Sequence, residues 1–259
     1  MVMLKRKVFV LLILSILALS FYFLNIHHKS ILGVSKSQKS NLTFVFVGDS
    51  MTKYLGNFDE LRGYLKKYYP SNTFLLLNYG FGSTNILSVQ DRLEKESSHS
   101  GRAFQAINDI PFDLILIESF GHNPLSEHPL KEGLELQTQT LDNIVKIIIQ
   151  KHPKTSIVFI ATIAPHKERY GEGVVNLTTD KRKEWAQERI AYIKNHIKYA
   201  KSHNIPLINI YEKSLDKDGS GNIDYVNTND FIHPSPTGIY FISEQIANFL
   251  NENNLQGVY

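Results

Sequence analysis

A hydroxyl is a useful nucleophile at neutral pH only when a base takes its proton and an acid holds that base in place. The chain carries all three groups in two short pieces. Near its beginning the apolar run Leu42 to Val47 ends in Gly48-Asp49-Ser50, and near its end stands Asp230-Phe231-Ile232-His233-Pro234. Asp230 and His233 are three residues apart, so a single turn puts them on the same side. The carboxylate can then accept from one imidazole nitrogen and leave the other for the Ser50 proton. Taken singly, each piece also has a plainer meaning: Ser50 as the cap of a helix, His233 as a loop histidine packed beside Pro234.

Two further segments offer donors for the oxyanion that such an attack creates. Asn78-Tyr79-Gly80-Phe81-Gly82-Ser83-Thr84 has two glycines with accessible backbone N–H groups, and Gly121-His122-Asn123-Pro124 carries the amide of Asn123. Either segment can equally be an ordinary turn. The first is not a phosphate loop, because no Gly-Lys-Ser/Thr follows and the dinucleotide spacing is absent.

Groups this far apart in sequence must be gathered by the fold. Runs of strand length occur at Thr43–Val47, Phe74–Asn78, Leu114–Glu118, Ile157–Ala161 and Pro206–Ile210. They are rich in Val, Ile, Leu and Phe without polar alternation, as in strands covered on both faces. Helical periods occupy Phe58–Tyr69, Ile86–Glu96, Leu134–Lys151, Lys181–Ser202 and Thr237–Asn251, the last announced by Ser235-Pro236 as cap and first turn. Strict alternation predicts an α/β fold: one three-layer α/β/α sandwich around a parallel, flavodoxin-like sheet of about five strands. Its carboxyl edge would hold Ser50 and two long loops, Phe120–Gly133 and Pro165–Asp180.

Composition narrows the class. The chain has 259 residues, 42% hydrophobic and 20% charged, with no cysteine, which excludes disulfides and thiolate chemistry. The net charge of +3 is accounted for by Lys5, Arg6 and Lys7, since the other basic residues equal the 25 acidic ones. With no basic stripe, nucleic-acid binding is not expected. The basic cluster precedes an uncharged apolar stretch, Val8 to Ile26, close to the ~20 residues of a membrane span. Residues 1–26 are therefore expected to form a cytoplasmic tip and single-pass anchor, with an uncleaved or cleaved signal peptide as the alternative. Residues 27–40 read as a polar tether and 41–259 as a catalytic domain outside the cell membrane.

Four blocks now stand in order: Gly-Asp-Ser, a glycine, Gly-x-Asn and Asp-x-x-His before a last helix. In this the chain from Leu42 onward resembles the SGNH hydrolase superfamily of GDSL-type esterases and lipases. The resemblance implies Ser50 as nucleophile, His233 as general base and Asp230 as its orienting partner. It implies Gly82 and Asn123, with the Ser50 amide, as oxyanion donors. Two departures stand out: Pro124 follows Asn123 where an Asp is common, and the second block is compressed, so Gly80 competes with Gly82. The implied activity is ester hydrolysis through an acyl-enzyme, on small acyl esters or O-acetylated glycans, with no cofactor. The alternative is a membrane-tethered O-acyltransferase in which a sugar hydroxyl replaces water. A non-catalytic glycan-binding module is disfavoured by the full triad.

Asp216, Asp218, Ser220 and Asp224 occupy positions 1, 3, 5 and 9 of a calcium-loop pattern, but Asn227 stands where a bidentate Glu is needed at position 12. The segment is either a calcium site or a polar turn. His122, His128 and His166 match no zinc spacing and are expected to be solvated or to touch substrate, as are Lys167, Arg169 and Tyr170.

Overall fold

In β1 (Asn41–Gly48) successive side chains are buried on opposite faces: Phe44 and Phe46 enter one apolar cluster, Val45 and Val47 the other. The same alternation runs through β5 (Leu114–Glu118), with Leu114 and Leu116 on one side and Ile115 and Ile117 on the other. A strand buried on both faces must be apolar throughout, which is why these runs lack polar alternation. The computed structural model describes residues 41–253. The expected anchor, residues 1–26, the tether, 27–40, and the last six residues lie outside them. No described helix is long and apolar enough to cross a membrane.

Five strands pair in parallel in the order β2-β1-β5-β6-β7, with β2 at Thr73–Gly80, β6 at Ser156–Ala161 and β7 at Leu207–Asn209. Helices cover both faces. On one side lie α2 (Asp59–Tyr68) and α7 (Pro236–Glu252), which contribute Leu61, Leu65, Ile242, Ile246 and Leu250 to the core. On the other lie α3 (Val89–Glu94), α4 (Leu130–Lys151) and α5 (Thr179–Ser202), with Leu93, Leu141, Ile144, Ile148 and Tyr192 facing the sheet. This is the three-layer α/β/α sandwich that alternation predicts. Removing one such side chain to alanine typically costs about 2–5 kcal/mol.

The expected Ile86–Glu96 helix is a 3₁₀ turn, Ile86–Ser88, running into α3. The helix read at the end of the first strand is the short α1 (Ser50–Lys53); a further short helix, α6 (Ile210–Lys213), and a two-stranded hairpin, β3 (Ser97–His99) with β4 (Arg102–Phe104), were not anticipated. Each is too short to show a period. Ser100 and Gly101 make the hairpin turn with positive φ at both positions, 50° and 76°.

Candidate active site

The end of β1 explains how Ser50 is held. Gly48 leaves the strand where no side chain fits: an added Cβ would lie 2.0 Å from Thr52 Oγ1 and 2.9 Å from Glu118 Cβ. The cap of α1 is Asp49, not Ser50. Asp49 Oδ1 accepts the Met51 N–H at 2.7 Å, and Oδ2 accepts from Asn123 Nδ2 at 2.9 Å. The Ser50 hydroxyl is therefore not spent on the helix terminus. It stays partly exposed at the carboxyl edge of the sheet.

Beneath this turn lies a buried polar layer. Glu118 Oε2 accepts the Asp49 N–H at 3.3 Å, while Oε1 accepts from Ser119 Oγ at 2.8 Å and the Phe120 N–H at 3.0 Å. Burial, then the neighbouring Asp49 carboxylate, push the Glu118 carboxyl well above the usual range. Arg92 is 1% exposed and donates to Gly48 O at 2.7 Å, Tyr79 O at 2.9 Å, and the hydroxyls of Thr84 and Ser88 at 2.5 Å each. Its guanidinium lies over the Phe81 ring at 4.3 Å. Burial pushes Arg92 down to about 10, against the pull of Asp49 and Glu118 in the other direction. It remains a cation at neutral pH, tying the ends of β1 and β2 together.

The acid–base pair comes from the loop before α7. Asp230 Oδ1 accepts the N–H groups of Ile232 at 2.9 Å and His233 at 3.0 Å, and Oδ2 lies 2.8 Å from His233 Nδ1. Burial raises the Asp230 carboxyl, but the donations from His233 and from the two backbone N–H groups outweigh it and leave it below its ordinary value. The loop is closed by the Asn227 N–H bonded to His233 O at 2.8 Å and the Phe231 N–H bonded to Asn227 O at 2.7 Å. Phe231 takes a left-handed φ of 50°, and the Arg169 guanidinium covers its ring at 3.9 Å. On the other side the His233 ring stacks on Tyr54, with centroids 4.1 Å apart and planes inclined by 6°. Tyr54 follows Ser50 by one helical turn, its N–H bonded to Ser50 O at 2.9 Å. The histidine is thus held against the end of the short helix that begins at Ser50.

The two glycines are distinguished. The Gly80 N–H donates to Asn78 Oδ1 at 2.9 Å, and a Cβ there would meet Lys53 N at 2.3 Å, so Gly80 serves the packing of β2 against α1. A Cβ at Gly82 would sit 3.7 Å from Ser50 Cβ, which puts Gly82 directly beside the serine. Asn123 reaches the same turn through its bond to Asp49, and Pro124 does not prevent it. Ser83 and Phe120, flanking these two segments, both adopt left-handed φ, 60° and 54°. Together with Phe231 they concentrate unusual backbone around one edge of the sheet.

Two expectations are corrected. His122 is 5% exposed, with Nδ1 3.2 Å from the Tyr170 hydroxyl and Nε2 3.2 Å from Ile163 O, so it pins one long loop to the other. Burial pushes it down to about 4, and it is neutral. Tyr170, at 2% exposed, is likewise interior, and burial pushes its phenol up to about 12. Arg169 pairs with Glu172 at 2.7 Å, and Lys167 Nζ donates to Asp218 O at 3.2 Å. His166 Nδ1 accepts backbone N–H groups of its own loop, and His128 lies half-exposed beside Glu127.

The Asp216–Asp224 segment is a tight turn: the Asp216 N–H bonds to Ser220 O at 2.7 Å, Asp218 Oδ1 accepts the Ser220 N–H at 2.9 Å, and Ser220 Oγ accepts the Lys167 N–H at 2.9 Å. Among the described residues no three His, Asp or Glu side chains gather into a metal-holding group. Sequence reasoning missed Arg92, Glu118 and Tyr54. Arg92 lies in a helical pattern where a cation normally faces water, Glu118 ends an apolar strand without announcing its partners, and an exposed Tyr gives no sign of its own.

No protein-family model matches the sequence, and neither does any curated protein. Solved structures do match. A lipase/acylhydrolase from Enterococcus faecalis aligns at 14% identity over 82% of this chain and 96% of that one, with a TM-score of 0.56. A GDSL-like lipase from Bacteroides thetaiotaomicron aligns at 13% identity over 89% and 97%, with a TM-score of 0.55. An acetyl xylan esterase aligns at 13% identity over 80% and 98%, with a TM-score of 0.56. At such identities the shared feature is the fold: this chain has the α/β/α architecture of the GDSL acylhydrolases.

Proposed function

We propose that the protein is an ester hydrolase of the GDSL type, working through an acyl-enzyme on Ser50. The observation that carries this reading is the Asp230–His233 pair, bonded at 2.8 Å and stacked on Tyr54 one helical turn from Ser50. The depressed Asp230 carboxyl stays ionised and fixes Nδ1 of His233 as the protonated nitrogen. Nε2 is then the base that takes the Ser50 proton as its oxygen attacks the ester carbonyl, and the acid that returns it to the leaving alkoxide. The Ser50 and Gly82 N–H groups and the second N–H of Asn123 Nδ2 are the donors for the tetrahedral oxyanion, each worth about 3–4 kcal/mol by analogy with other enzymes. Water, activated by the same histidine, releases the acid. The residues require no metal for this sequence; calcium at Asp216, Asp218, Ser220 and Asp224 would only brace the approach to Asp230.

Small ester substrates, including O-acetylated glycans, fit this chemistry and the acyl-ester names of the similar structures. The apolar Val8–Ile26 stretch supports a single-pass anchor with the catalytic domain outside the cell membrane. That placement also favours a second reading, transfer of the acyl group to a glycan hydroxyl. The test is turnover of short-chain 4-nitrophenyl esters by wild type and Ser50→Ala, with and without added glycan. Free acid released by wild type and not by the variant supports hydrolysis; acylated glycan in place of acid favours transfer. Undiminished turnover by Ser50→Ala overturns both.

A further inference from the structure

A cavity of about 530 Å³ opens between Lys53 of α1, the β2 edge and the β3–β4 hairpin. Its lining includes Lys53, Arg62, Arg102 and His99, and no aspartate or glutamate. An uncompensated group of cations is costly to assemble, and it raises the local concentration of anions. The cations differ in freedom. Arg62 is tied to the carbonyls of Asn57 and Phe74 at 3.0 Å each. Lys53 bonds to Ser100 Oγ at 3.1 Å, which anchors the hairpin turn to the helix that carries Ser50. Arg102 lies exposed, its guanidinium over the Phe104 ring at 5.7 Å.

Lys53 links the cavity to the serine. A Cβ at Gly82 would lie 3.6 Å from Lys53 Cδ, 3.8 Å from Lys53 Nζ and 3.7 Å from Ser50 Cβ, so the ammonium and the hydroxyl flank one glycine. His99, opposite Arg102 in the hairpin register, stacks on Phe81 at 4.6 Å, and its buried Nε2 has no hydrogen-bond partner. Burial, then the positive charges of Lys53 and Arg92, lower the His99 pKa, in keeping with an electropositive lining. Phe104, Tyr79 and Leu76 supply apolar wall, and Asn57 and Gln105 line it with amides.

We propose that this cavity is a substrate subsite for an anionic group, a phosphate or a carboxylate, carried close to the scissile ester on a polyhydroxylated substrate such as an acidic glycan. Lys53 and Arg102 contact the anion, and the aromatic wall packs against the ring that bears it. This rests on the esterase reading of Ser50 and specifies its substrate class.

The experiment compares kcat/KM of the full chain for O-acetyl esters of a neutral glucoside, a glucuronate and a glucose phosphate. Wild type is expected to prefer at least one anionic ester by about tenfold, with that preference falling as salt rises. The ratio of anionic to neutral kcat/KM is expected to fall about tenfold in Arg102→Gln and in Lys53→Gln, as the charge contribution of each is lost. The anionic ester that shows the preference identifies phosphate or carboxylate as the group bound. Equal turnover of neutral and anionic esters, or an unchanged ratio in Arg102→Gln, overturns the subsite and leaves the esterase reading standing. If no ester is hydrolysed, the esterase reading fails first. Calorimetry of Ser50→Ala with glucuronate and glucose phosphate then decides the subsite: binding that is lost in Ser50→Ala/Arg102→Gln supports it, and no binding overturns it.

Discussion

Two polar groupings meet at Ser50 and are built on opposite plans. Below the turn, Arg92, Glu118 and Asp49 are buried, and each bonds to backbone as well as to side chains: the Gly48 and Tyr79 carbonyls for Arg92, the Asp49 and Phe120 amides for Glu118, the Met51 amide for Asp49. Above it, Asp230 and His233 are partly exposed, with side-chain accessibilities of 13% and 20%. There Asp230 accepts three hydrogen bonds, one of them from His233 Nδ1, which on the proposed reading leaves Nε2 as the base. A buried charge held by several backbone groups positions what surrounds it; an acid–base pair open to the surface can act on a substrate. The lower layer fixes the strand-to-helix turn, and on the proposed reading the upper pair acts on what that turn presents.

The largest effect that sharpens this contrast belongs to the upper pair. Asp230→Asn keeps much of the shape but removes the charge and disturbs the tautomer, so kcat on a short-chain ester is expected to fall about 10³–10⁴-fold. Thermal stability should change little by comparison. A fall below about tenfold would show that His233 does not depend on Asp230.

Arg92→Met tests the lower layer. It strands the Gly48 and Tyr79 carbonyls and leaves Glu118 and Asp49 without a nearby cation, so unfolding free energy in denaturant is expected to drop by about 3–5 kcal/mol. Any loss of activity should follow the loss of folded protein. A variant that is fully stable yet inactive would move Arg92 from positioning to chemistry.

Tyr54→Ala removes the stacked ring under His233 and should reduce kcat by about tenfold or less, consistent with the ~0.5–1.5 kcal/mol of an aromatic pair. Tyr54→Phe is expected to restore it, because the ring and not the hydroxyl makes the contact.

The smallest effect is a pH dependence. Burial holds His122 down to about 4 and His196 down to about 3, so both are neutral in the folded protein. The unfolded chain takes up their protons near pH 6.5, and so binds more protons than the folded state between that value and the lowered ones. Stability should therefore be complete above about pH 6.5 and decline as pH falls through that window. His196 has two buried ring nitrogens with no hydrogen-bond partner and stacks on Phe159 at 4.3 Å. His196→Phe is expected to flatten the decline in a series of melting temperatures against pH. An unchanged slope contradicts this assignment.

The upper pair was legible in the sequence because local chemistry writes it: Asp and His three apart, then a Ser-Pro helix start, need no knowledge of distant partners. Strands such as Leu114–Glu118 were legible for the same reason, since burial on both faces demands an unbroken apolar run. The lower layer was not. Arg92 sits in an amphipathic helix where a cation normally faces water, and only the convergence of β1, β2 and α3 makes it interior. The hairpin carrying His99 and Arg102 has strands of only three residues, too short for a period to be read, and the chemistry of its cavity emerges only in three dimensions. His122 was misread because nothing in a Gly-His-Asn-Pro loop announces Tyr170 and Ile163 as partners.

The central claim is that Ser50 is the nucleophile, activated by His233. Intact-mass spectrometry of the protein after treatment with a fluorophosphonate, with peptide mapping of the adduct, tests it most directly. One adduct on Ser50, absent in Ser50→Ala and strongly slowed in His233→Ala, is the predicted result. An adduct on another residue, or ester turnover with no adduct at all, would contradict it.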